Sequence, residues 1–299
     1  MRIVSRPDFD GIVCAVLLYR AQNIDADIKW VEPNEIQKGK VDILKGDIMA
    51  NLPYSPDCSL WFDHHISNKP RGNFQGAFDI APSAARVIYD YYKKKGLLDN
   101  QYDELVFNTD IIDAADLNQD QVQHPENYPY ILLSMTIKNK DYKDLPYWNK
   151  LVDLLKETDI DHILEDSEIK SRCDRVIEEN IAYKKYLIEH TKIHHNISIA
   201  DFRNLDSVPD GNRFLIYSLF PECNTSIKLR FDGPEKEHVL LSVGHNIFNK
   251  SSFVNIGNLL ARFGGGGHAG AGGCTLEAGS ADTAIQKILE SLVQNKKEI

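Results

Sequence analysis

The amino-acid sequence predicts an α/β protein in which an N-terminal parallel-sheet domain and a smaller C-terminal α/β domain are joined by a long helix. The length of 299 residues suits two domains of roughly 150 residues each. In the first half, short apolar runs typical of strands alternate with helical segments. Residues 167–194 contain neither Gly nor Pro, and apolar side chains recur on one helical face. We therefore assign residues 1–165 to the first domain, 166–195 to a helical connector and 196–299 to the second domain.

The first domain is expected to alternate strands with helices. The predicted strands are residues 2–5, 41–44 and 58–62, and the predicted helices are residues 12–21 and 84–95. The second helix has clear ends, because Ser83 is a favoured N-cap residue, three lysines occupy the last turn and Gly96 follows. This alternation favours a parallel sheet with helical crossovers.

The second domain is expected to be richer in strands. The predicted strands are residues 196–200, 214–219, 225–231, 238–243 and 271–276, and the predicted helices are residues 255–263 and a final helix from Ser280 to about Asn295. Between the helix at 255–263 and the strand at 271–276 lies a segment rich in glycine.

The composition is that of an ordinary globular protein, with 42% hydrophobic and 26% charged residues, which excludes a disordered or collagen-like chain. No window approaches the ~18 consecutive apolar residues of a membrane helix. The first residues lack the apolar core of a signal peptide, and the five cysteines are scattered without C-x-x-C spacing. These features predict a cytoplasmic protein with reduced thiols and no membrane partner.

The net charge of −10 is concentrated in the first part of the chain. Residues 196–299 contain 10 basic and 11 acidic residues, so nine of the ten net negative charges belong to residues 1–195. Most of these acids are expected to be solvated surface. An acidic chain lacks the basic groove of proteins that bind long nucleic acids, although a small anionic substrate held by metal ions fits it.

Acids and histidines follow each predicted strand of the first domain. Because the carboxyl ends of parallel strands share one edge of the sheet, these side chains are expected to converge there. Such a charge cluster needs cations, and two ions together could activate a water for attack on phosphorus. The residues concerned are Asp8 and Asp10 after the first strand, Asp47 after the second, and Asp63, His64 and His65 after the third.

These motifs differ in how specifically they indicate a metal site. D-x-D-G and an isolated Asp47 are also typical of plain turns, whereas D-H-H directly after an apolar strand is seldom explained by packing. The segment 105–116 adds Asp110, Asp113 and Asp116 at three-residue spacing, which equally fits a solvated helix face. Of these, Asp110 is favoured as a further ligand because it directly follows the apolar run 105–107.

A glycine cluster lies within the second domain, where residues 264–273 contain seven glycines around His268. A flexible linker is the alternative, but linkers are usually rich in Ser and lie between domains. Exposed backbone N–H groups in such a segment can cradle an anion, and His268 would add a donor. The spacing matches neither the Walker nor the dinucleotide-binding fingerprint.

Taken in order, R-P-D-F-D-G, G-D, D-H-H and G-G-G-G-H-A-G-A-G-G resemble the DHH phosphoesterase superfamily with its DHH-associated C-terminal domain. Members include RecJ-type exonucleases, oligoribonucleases, cyclic-dinucleotide phosphodiesterases and exopolyphosphatase-related proteins. The resemblance implies an N-terminal domain with two divalent cations, usually manganese, and a C-terminal domain that binds substrate across a cleft. Dimers are common in the family, so a homodimer is among the expected states.

The resemblance also implies roles for individual residues. In the first domain, Asp8 would ligate the first metal, and Asp10, His64 and Asp110 would ligate the second. Asp47 would bridge the two metals. His65 would face the scissile phosphate, and Asp63 would orient its neighbours. In the second domain, Gly265, Gly266, Gly267 and His268 would contact the substrate end. Weaker candidates for phosphate contacts are Arg230, His245 and Arg262, for which an ordinary surface position is the alternative.

The chain departs from the family pattern at one place. The family's first motif reads H-x-D-x-D-G or carries a His four residues before the first Asp, whereas this sequence has Arg6 and Val4 at those positions. A guanidinium stays protonated and cannot ligate a metal, but it can clamp a phosphate or supply positive charge, so Arg6 joins the candidate catalytic residues. We therefore expect one firm metal site and one that is weak or absent.

The function expected from this resemblance is metal-dependent hydrolysis of a phosphodiester bond, with Mn²⁺ or Mg²⁺ at one or two ions per chain. The acidic charge favours a short oligonucleotide or a cyclic or linear dinucleotide over a long polyanion. Two alternatives stay open. One is a nucleotide-binding sensor with impaired catalysis, suggested by Arg6, and the other is an exopolyphosphatase.

Overall fold

The computed structural model describes residues 1–25, 27–138, 142–207 and 210–296. The chain divides into two compact units. The first comprises Met1–Leu117 and Pro125–Asp174, and the second comprises Asn118–His124 and Arg175–Ile299. Within the described ranges, no helix is both long and apolar enough to cross a membrane.

The elements up to residue 165 begin with strands and two intervening helices and continue, from residue 84, as helices. In chain order they are β1 (Arg2–Ser5), α1 (Phe9–Gln22), β2 (Asp27–Trp30), α2 (Pro33–Gln37), β3 (Ile48–Ala50), β4 (Leu60–Asp63), β5 (Gly76–Phe78), α3 (Ala84–Lys93), α4 (Asp103–Asp113), α5 (Gln119–Gln123), α6 (Pro129–Met135), α7 (Leu145–Glu157) and α8 (Ile160–Glu165). The five strands form one parallel sheet in the order β2-β1-β3-β4-β5. The predicted parallel sheet is therefore confirmed.

Helix α1 is the centre of this unit. Its residues from Ile12 to Leu18 are all fully buried, because α1 contacts β1 and β3 of the sheet and also packs against α3, α4 and α7. A helix that is apolar all round is typical of such a buried position. The start of α1 is thereby fixed beneath the carboxyl end of β1.

The remaining elements are mostly strands. They are α9 (Ser167–His190), β6 (Thr191–His194), β7 (Ile197–Asp201), α10 (Leu215–Leu219), β8 (Thr225–Phe231), β9 (His238–His245), α11 (Ile256–Ala261), β10 (Gly266–His268), β11 (Ala271–Glu277) and α12 (Ala278–Gln294). The sheet order is β10-β11-β9-β8-β7-β6, antiparallel except for the β7–β8 pair. Apolar side chains of this sheet, α11 and α12 form the core of the second unit.

Two predicted strands are wrong. Residues 41–44 form no strand, because Val41 and Ile43 pack as loop side chains against an apolar cluster that includes Met49 and Trp61. The strand is the fully buried segment Ile48–Ala50 instead. Residues 214–219 contain helix α10, whose buried side chains gave an apolar run too short to separate helix from strand.

Candidate metal centre

The turn after β1 brings three charged side chains to the carboxyl edge of the sheet. Asp8 is the N-cap of α1 and accepts the backbone N–H of Gly11 at 2.8 Å. Gly11 is required in R-P-D-F-D-G, because a Cβ atom there would lie 1.9 Å from the carbonyl oxygen of Arg6. The tight turn leaves Arg6 and Asp8 outside the helix and Asp10 within its first turn.

Asp10 is buried and held by the start of α3. Its two carboxylate oxygens accept the backbone N–H groups of Ala84 and Ala85 at 2.9 and 2.8 Å. Burial and the neighbouring charge of Asp8 raise the pKa of Asp10 to about 7. Burial likewise raises the pKa of Asp8. The site therefore disfavours its own negative charge unless a cation is added.

His64 presents a ring nitrogen to this carboxylate cluster. Its Nδ1 lies 2.9 Å from the carbonyl oxygen of Ala81, which assigns the proton to Nδ1 and leaves a lone pair on Nε2. Nε2 is buried without a hydrogen-bond partner, 3.3 Å from Oδ2 of Asp113. Burial lowers the pKa of His64, which favours the neutral ring that a metal requires.

Donor atoms of Asp10, His64 and Asp113 all lie within 4.8 Å of one another. A lone pair facing carboxylate oxygens without an intervening proton is repulsive, so this arrangement is relieved by a cation. Oxygen and imidazole donors suit Mn²⁺ and related divalent ions. The residues present therefore fit a divalent cation, with the carbonyl of Ala81 fixing the ring of His64.

Asp63 organises the next residues instead of offering an open ligand. Its Oδ1 accepts the backbone N–H groups of His64 and His65 at 2.7 and 3.1 Å and lies 2.8 Å from Nδ1 of His65. Its Oδ2 accepts Nδ2 of Asn68 at 2.7 Å. Although Asp63, His64 and His65 also form a compact group of donors, these contacts already engage both oxygens of the Asp63 carboxylate. The hydrogen bond from Asp63 raises the pKa of His65, whose side chain stays 41% exposed.

Asp47 is not part of this centre. It precedes β3, so it lies at the amino edge of the sheet, where it forms an ion pair with Arg2 at 2.7 Å. The misplaced strand at 41–44 had put Asp47 at the carboxyl edge, and its actual position does not support the bridging role that the resemblance implied. The residue that follows β3 at the carboxyl edge is Asn51, whose Nδ2 donates to Asp8 at 3.1 Å. The direct adjacency of Asn51 to the buried run 48–50 was the signal that could have found it.

Asp110 is also placed differently from its predicted role. Its carboxylate accepts hydrogen bonds from Oγ of Ser83 at 2.7 Å and from Nε and Nη2 of Arg86 at 2.8 and 2.6 Å. These bonds connect α4 to the start of α3. Asp113, one turn further along α4, is the acid that meets His64. A step of three residues leaves two side chains about 60° apart around the helix axis and about 4.5 Å apart along it, and here the two aspartates contact different neighbours.

The glycine cluster forms a hairpin in the second unit. Gly266 and Gly267 in β10 are in register with Gly273 and Gly272 in β11, and Gly265 directly precedes β10. Close to this hairpin, Nδ1 of His245 and Nδ1 of His268 both lie 3.9 Å from the point where a Cβ on Gly270 would be.

The remaining candidates of the second unit differ in exposure. His245 is half-buried, its Nε2 lies 3.0 Å from the carbonyl of Val254, and burial lowers its pKa. Arg230 is exposed on β8 and Arg262 is exposed at the end of α11.

Comparison with known proteins places this fold and centre in one family. No protein-family model and no curated protein matches the sequence. Among solved structures, the pGpG-specific phosphodiesterase PggH from Vibrio cholerae is 33% identical, with 99% of each chain covered and a TM-score of 0.87. An exopolyphosphatase-related protein from Bacteroides fragilis is 16% identical over 97% of this chain and 91% of its own, with a TM-score of 0.55. RecJ from Thermus thermophilus in complex with Mn²⁺ is 12% identical over 100% of this chain and 52% of its own, with a TM-score of 0.63.

The fold and the D-H-H centre define a phosphoesterase of the DHH type. The chain belongs to the DHH phosphoesterase family, as the 33% identity to PggH over nearly the whole of both chains shows. The resemblance drawn from the sequence motifs is confirmed.

Proposed function

We propose that the protein is a metal-dependent phosphodiesterase that hydrolyses dinucleotides or short oligonucleotides. The observation that carries this proposal is the buried, unpartnered Nε2 of His64, which faces the carboxylates of Asp10 and Asp113. These three residues would hold Mn²⁺ or Mg²⁺. A divalent cation held there supplies positive charge that activates water and stabilises the transition state of phosphoryl transfer.

His65 is the proposed catalytic residue that faces the substrate. Asp63 forms a hydrogen bond with Nδ1 of His65 and raises the pKa of His65, so the ring carries a proton more readily near neutral pH. Nε2 is then the nitrogen that can donate a hydrogen bond to a phosphate oxygen or a proton to the leaving oxygen. Asp63, fully buried and itself held by Asn68, fixes the orientation of the ring.

The proposed substrate is a small anion. The similarity to PggH, described as specific for pGpG, makes this linear dinucleotide the first substrate to test. The charge of −10 opposes the binding of long polyanions. We propose that the glycine hairpin at 265–267, with His245 and His268, binds one end of the substrate, with Arg230 and Arg262 as weaker candidates.

Hydrolysis of a substrate panel tests this proposal. Full-length protein with Mn²⁺ is incubated with pGpG, cyclic diguanylate, a short RNA and inorganic polyphosphate, and the products are separated by chromatography. We expect water to add across the internal phosphodiester of pGpG, which yields two molecules of GMP. Turnover of polyphosphate alone, or of no substrate, would contradict the proposal.

Two histidine variants supply a matched comparison. His65→Gln is expected to lower kcat for pGpG by about 10²- to 10⁴-fold, as for loss of a general acid. His162 also pairs through Nδ1 with an aspartate, Asp159, at 2.7 Å, but it is 70% exposed and lies outside the centre. His162→Gln should therefore leave kcat unchanged, and equal losses in both variants would argue against a role for His65.

A further inference from the structure

One half of the candidate metal centre lies around Asp8. It already contains a positive charge, the guanidinium group of Arg6. Nε of Arg6 lies 3.1 Å from Oδ2 of Asp8 and 3.9 Å from Oε2 of Glu32. Glu32 follows β2 and Asp8 follows β1, so acids from two neighbouring strands flank one guanidinium. Because a guanidinium keeps its proton at every accessible pH, it balances these charges without acting as a ligand.

Asn51 contributes an amide, and not a carboxylate, to the same half of the centre. It follows β3, where its backbone N–H donates to the carbonyl of Phe62 and its Nδ2 donates to Oδ1 of Asp8. The side chain is buried, and an amide carries no charge to balance a second divalent ion. The position between β1 and β4 therefore offers a neutral group.

The carboxylate of Asp8 is itself engaged on both oxygens. Oδ1 accepts Nδ2 of Asn51 at 3.1 Å and the backbone N–H of Gly11 at 2.8 Å, while Oδ2 faces Arg6. A divalent ion at Asp8 would lie next to the positive charge of Arg6, which would repel it. Oδ1 of Asn51 is buried there without a hydrogen-bond partner, so it is the positive charge of Arg6, and not a lack of oxygen atoms, that opposes a second cation at Asp8.

We infer that the centre holds a single divalent cation, at Asp10, His64 and Asp113, and that Arg6 supplies the second positive charge as a fixed part of the protein. This inference rests on the proposed function, because it assigns the number of cations at the same site. Arg6 is close enough to Asp8 to keep its charge at the centre whether or not metal is present.

Counting bound manganese in the purified full-length protein tests the inference. Mn²⁺ binding is followed by isothermal titration calorimetry, by metal analysis after gel filtration and by electron paramagnetic resonance. We expect one ion per chain with the spectrum of an isolated Mn²⁺. Two ions per chain with a spin-coupled spectrum would overturn the inference.

Variants at Arg6 and Asn51 test whether a second ion can be introduced. The double variant Arg6→His with Asn51→Asp creates an imidazole and a carboxylate around Asp8, and we expect it to bind a second Mn²⁺. Arg6→Gln removes the positive charge and is expected to bind a second Mn²⁺ weakly and to lower kcat, whereas Arg6→Lys keeps the charge and should keep one ion and part of the activity. If Arg6→Lys bound a second Mn²⁺ as tightly as Arg6→Gln does, the positive charge would not be what excludes the second ion.

The outcomes separate this inference from the proposed function. If wild-type protein cleaves pGpG with two ions bound, the phosphodiesterase proposal stands and the single-cation inference fails. If one ion binds and no phosphodiester is cleaved, the inference stands and the proposed function fails. Absence of any bound ion would overturn both.

Discussion

At the scale of single residues, Asp10 links proton binding to metal binding. Two backbone amide groups of α3 fix its carboxylate in a buried position, and burial together with Asp8 raises its pKa to about 7. A metal ion must bind the ionised carboxylate, so it has to displace this proton. Burial lowers the pKa of His64, so its ring competes less for a proton than an exposed histidine would.

The expected result is a pH-dependent affinity for Mn²⁺. Below a pKa of about 7 one proton is released for each ion bound, so the affinity should rise by about tenfold per pH unit between roughly pH 5 and 7 and level off above that. Calorimetry in buffers of different ionisation enthalpy measures both the affinity and the proton release. An affinity that stays flat from pH 5.5 to 7.5 would contradict this assignment.

Asp47 is expected to affect the stability of the fold and not the binding of metal. Because Asp47 pairs with Arg2 and accepts the backbone N–H of Leu44 at 2.8 Å, its role is structural. Asp47→Asn should lower the free energy of unfolding by about 1–3 kcal/mol, as for a hydrogen-bonded charged group, and should leave Mn²⁺ affinity unchanged. Urea denaturation and metal titration of the variant check both parts. Loss of Mn²⁺ affinity in a folded variant would restore the metal-bridging role.

The motifs were sufficient to predict some residues of the centre and insufficient for others. Asp10 and His64 stand next to elements whose ends the sequence marks clearly. Asn51 was missed because alternating apolar residues at 41–44 resemble a strand, although their side chains only cover an apolar cluster. Asp113 was left as an alternative to Asp110 because spacing along a helix does not reveal which face meets the sheet.

At the scale of elements, the glycine hairpin β10–β11 depends on one glycine more than on its neighbour. Gly267 has φ +150°, and a Cβ there would lie 2.3 Å from the carbonyl oxygen of Ala271, whereas Gly266 has nothing within 4 Å of its Cβ position. Gly267→Ala should therefore lower the free energy of unfolding by about 1–3 kcal/mol, and Gly266→Ala by less than about 0.5 kcal/mol.

The same pair of variants tests substrate binding by the hairpin. If the hairpin contacts the substrate, Gly266→Ala should raise KM for pGpG in a protein of normal stability, because a methyl group keeps the anion from the backbone N–H groups. Mn²⁺ affinity should not change. Thermal denaturation and steady-state kinetics separate the two effects, and an unchanged KM in Gly266→Ala would remove this part of the chain from the proposed site.

Elements with strong local signals could be predicted from the sequence, and elements defined by tertiary contacts could not. Helix α3 follows Ser83, whose Oγ accepts the backbone N–H of Arg86 as expected of an N-cap. β2 was missed because its four residues include Asp27 and Lys29 at exposed positions, so the strand is specified by pairing with β1. α10 has only five residues, too few for helical periodicity to appear.

At the scale of the whole molecule, the net charge of −10 predicts a preference for short substrates. Each added phosphate increases repulsion from the acidic surface, so kcat/KM should fall as oligonucleotides lengthen from two to about ten nucleotides. Added salt should reduce the penalty, because charges more than about 8 Å apart are screened at physiological ionic strength. Kinetics on a length series at two salt concentrations check this, and a rise of kcat/KM with length would contradict it.

The overall architecture was more predictable than its details. The alternation of strands and helices before residue 100 was enough to indicate a parallel sheet. The charged segment 167–194, with apolar side chains on one helical face, marked the region of α9, which ends at His190. Such patterns survive errors of a few residues. The prediction of metal ligands is less tolerant of such errors. Because the strand is 48–50 and not 41–44, the residue after its carboxyl end is Asn51 and not Asp47.

The most direct test of the proposed metal centre is whether Asp113 helps to bind the cation. Mn²⁺ binding and pGpG hydrolysis are measured for the wild-type protein, for Asp113→Asn and for Asp116→Asn, a control that alters an exposed acid three residues further on. We predict that Asp113→Asn loses about 100-fold or more in Mn²⁺ affinity together with its activity, while Asp116→Asn behaves as wild type. A folded Asp113→Asn variant that binds Mn²⁺ as tightly as the wild-type protein would contradict the account.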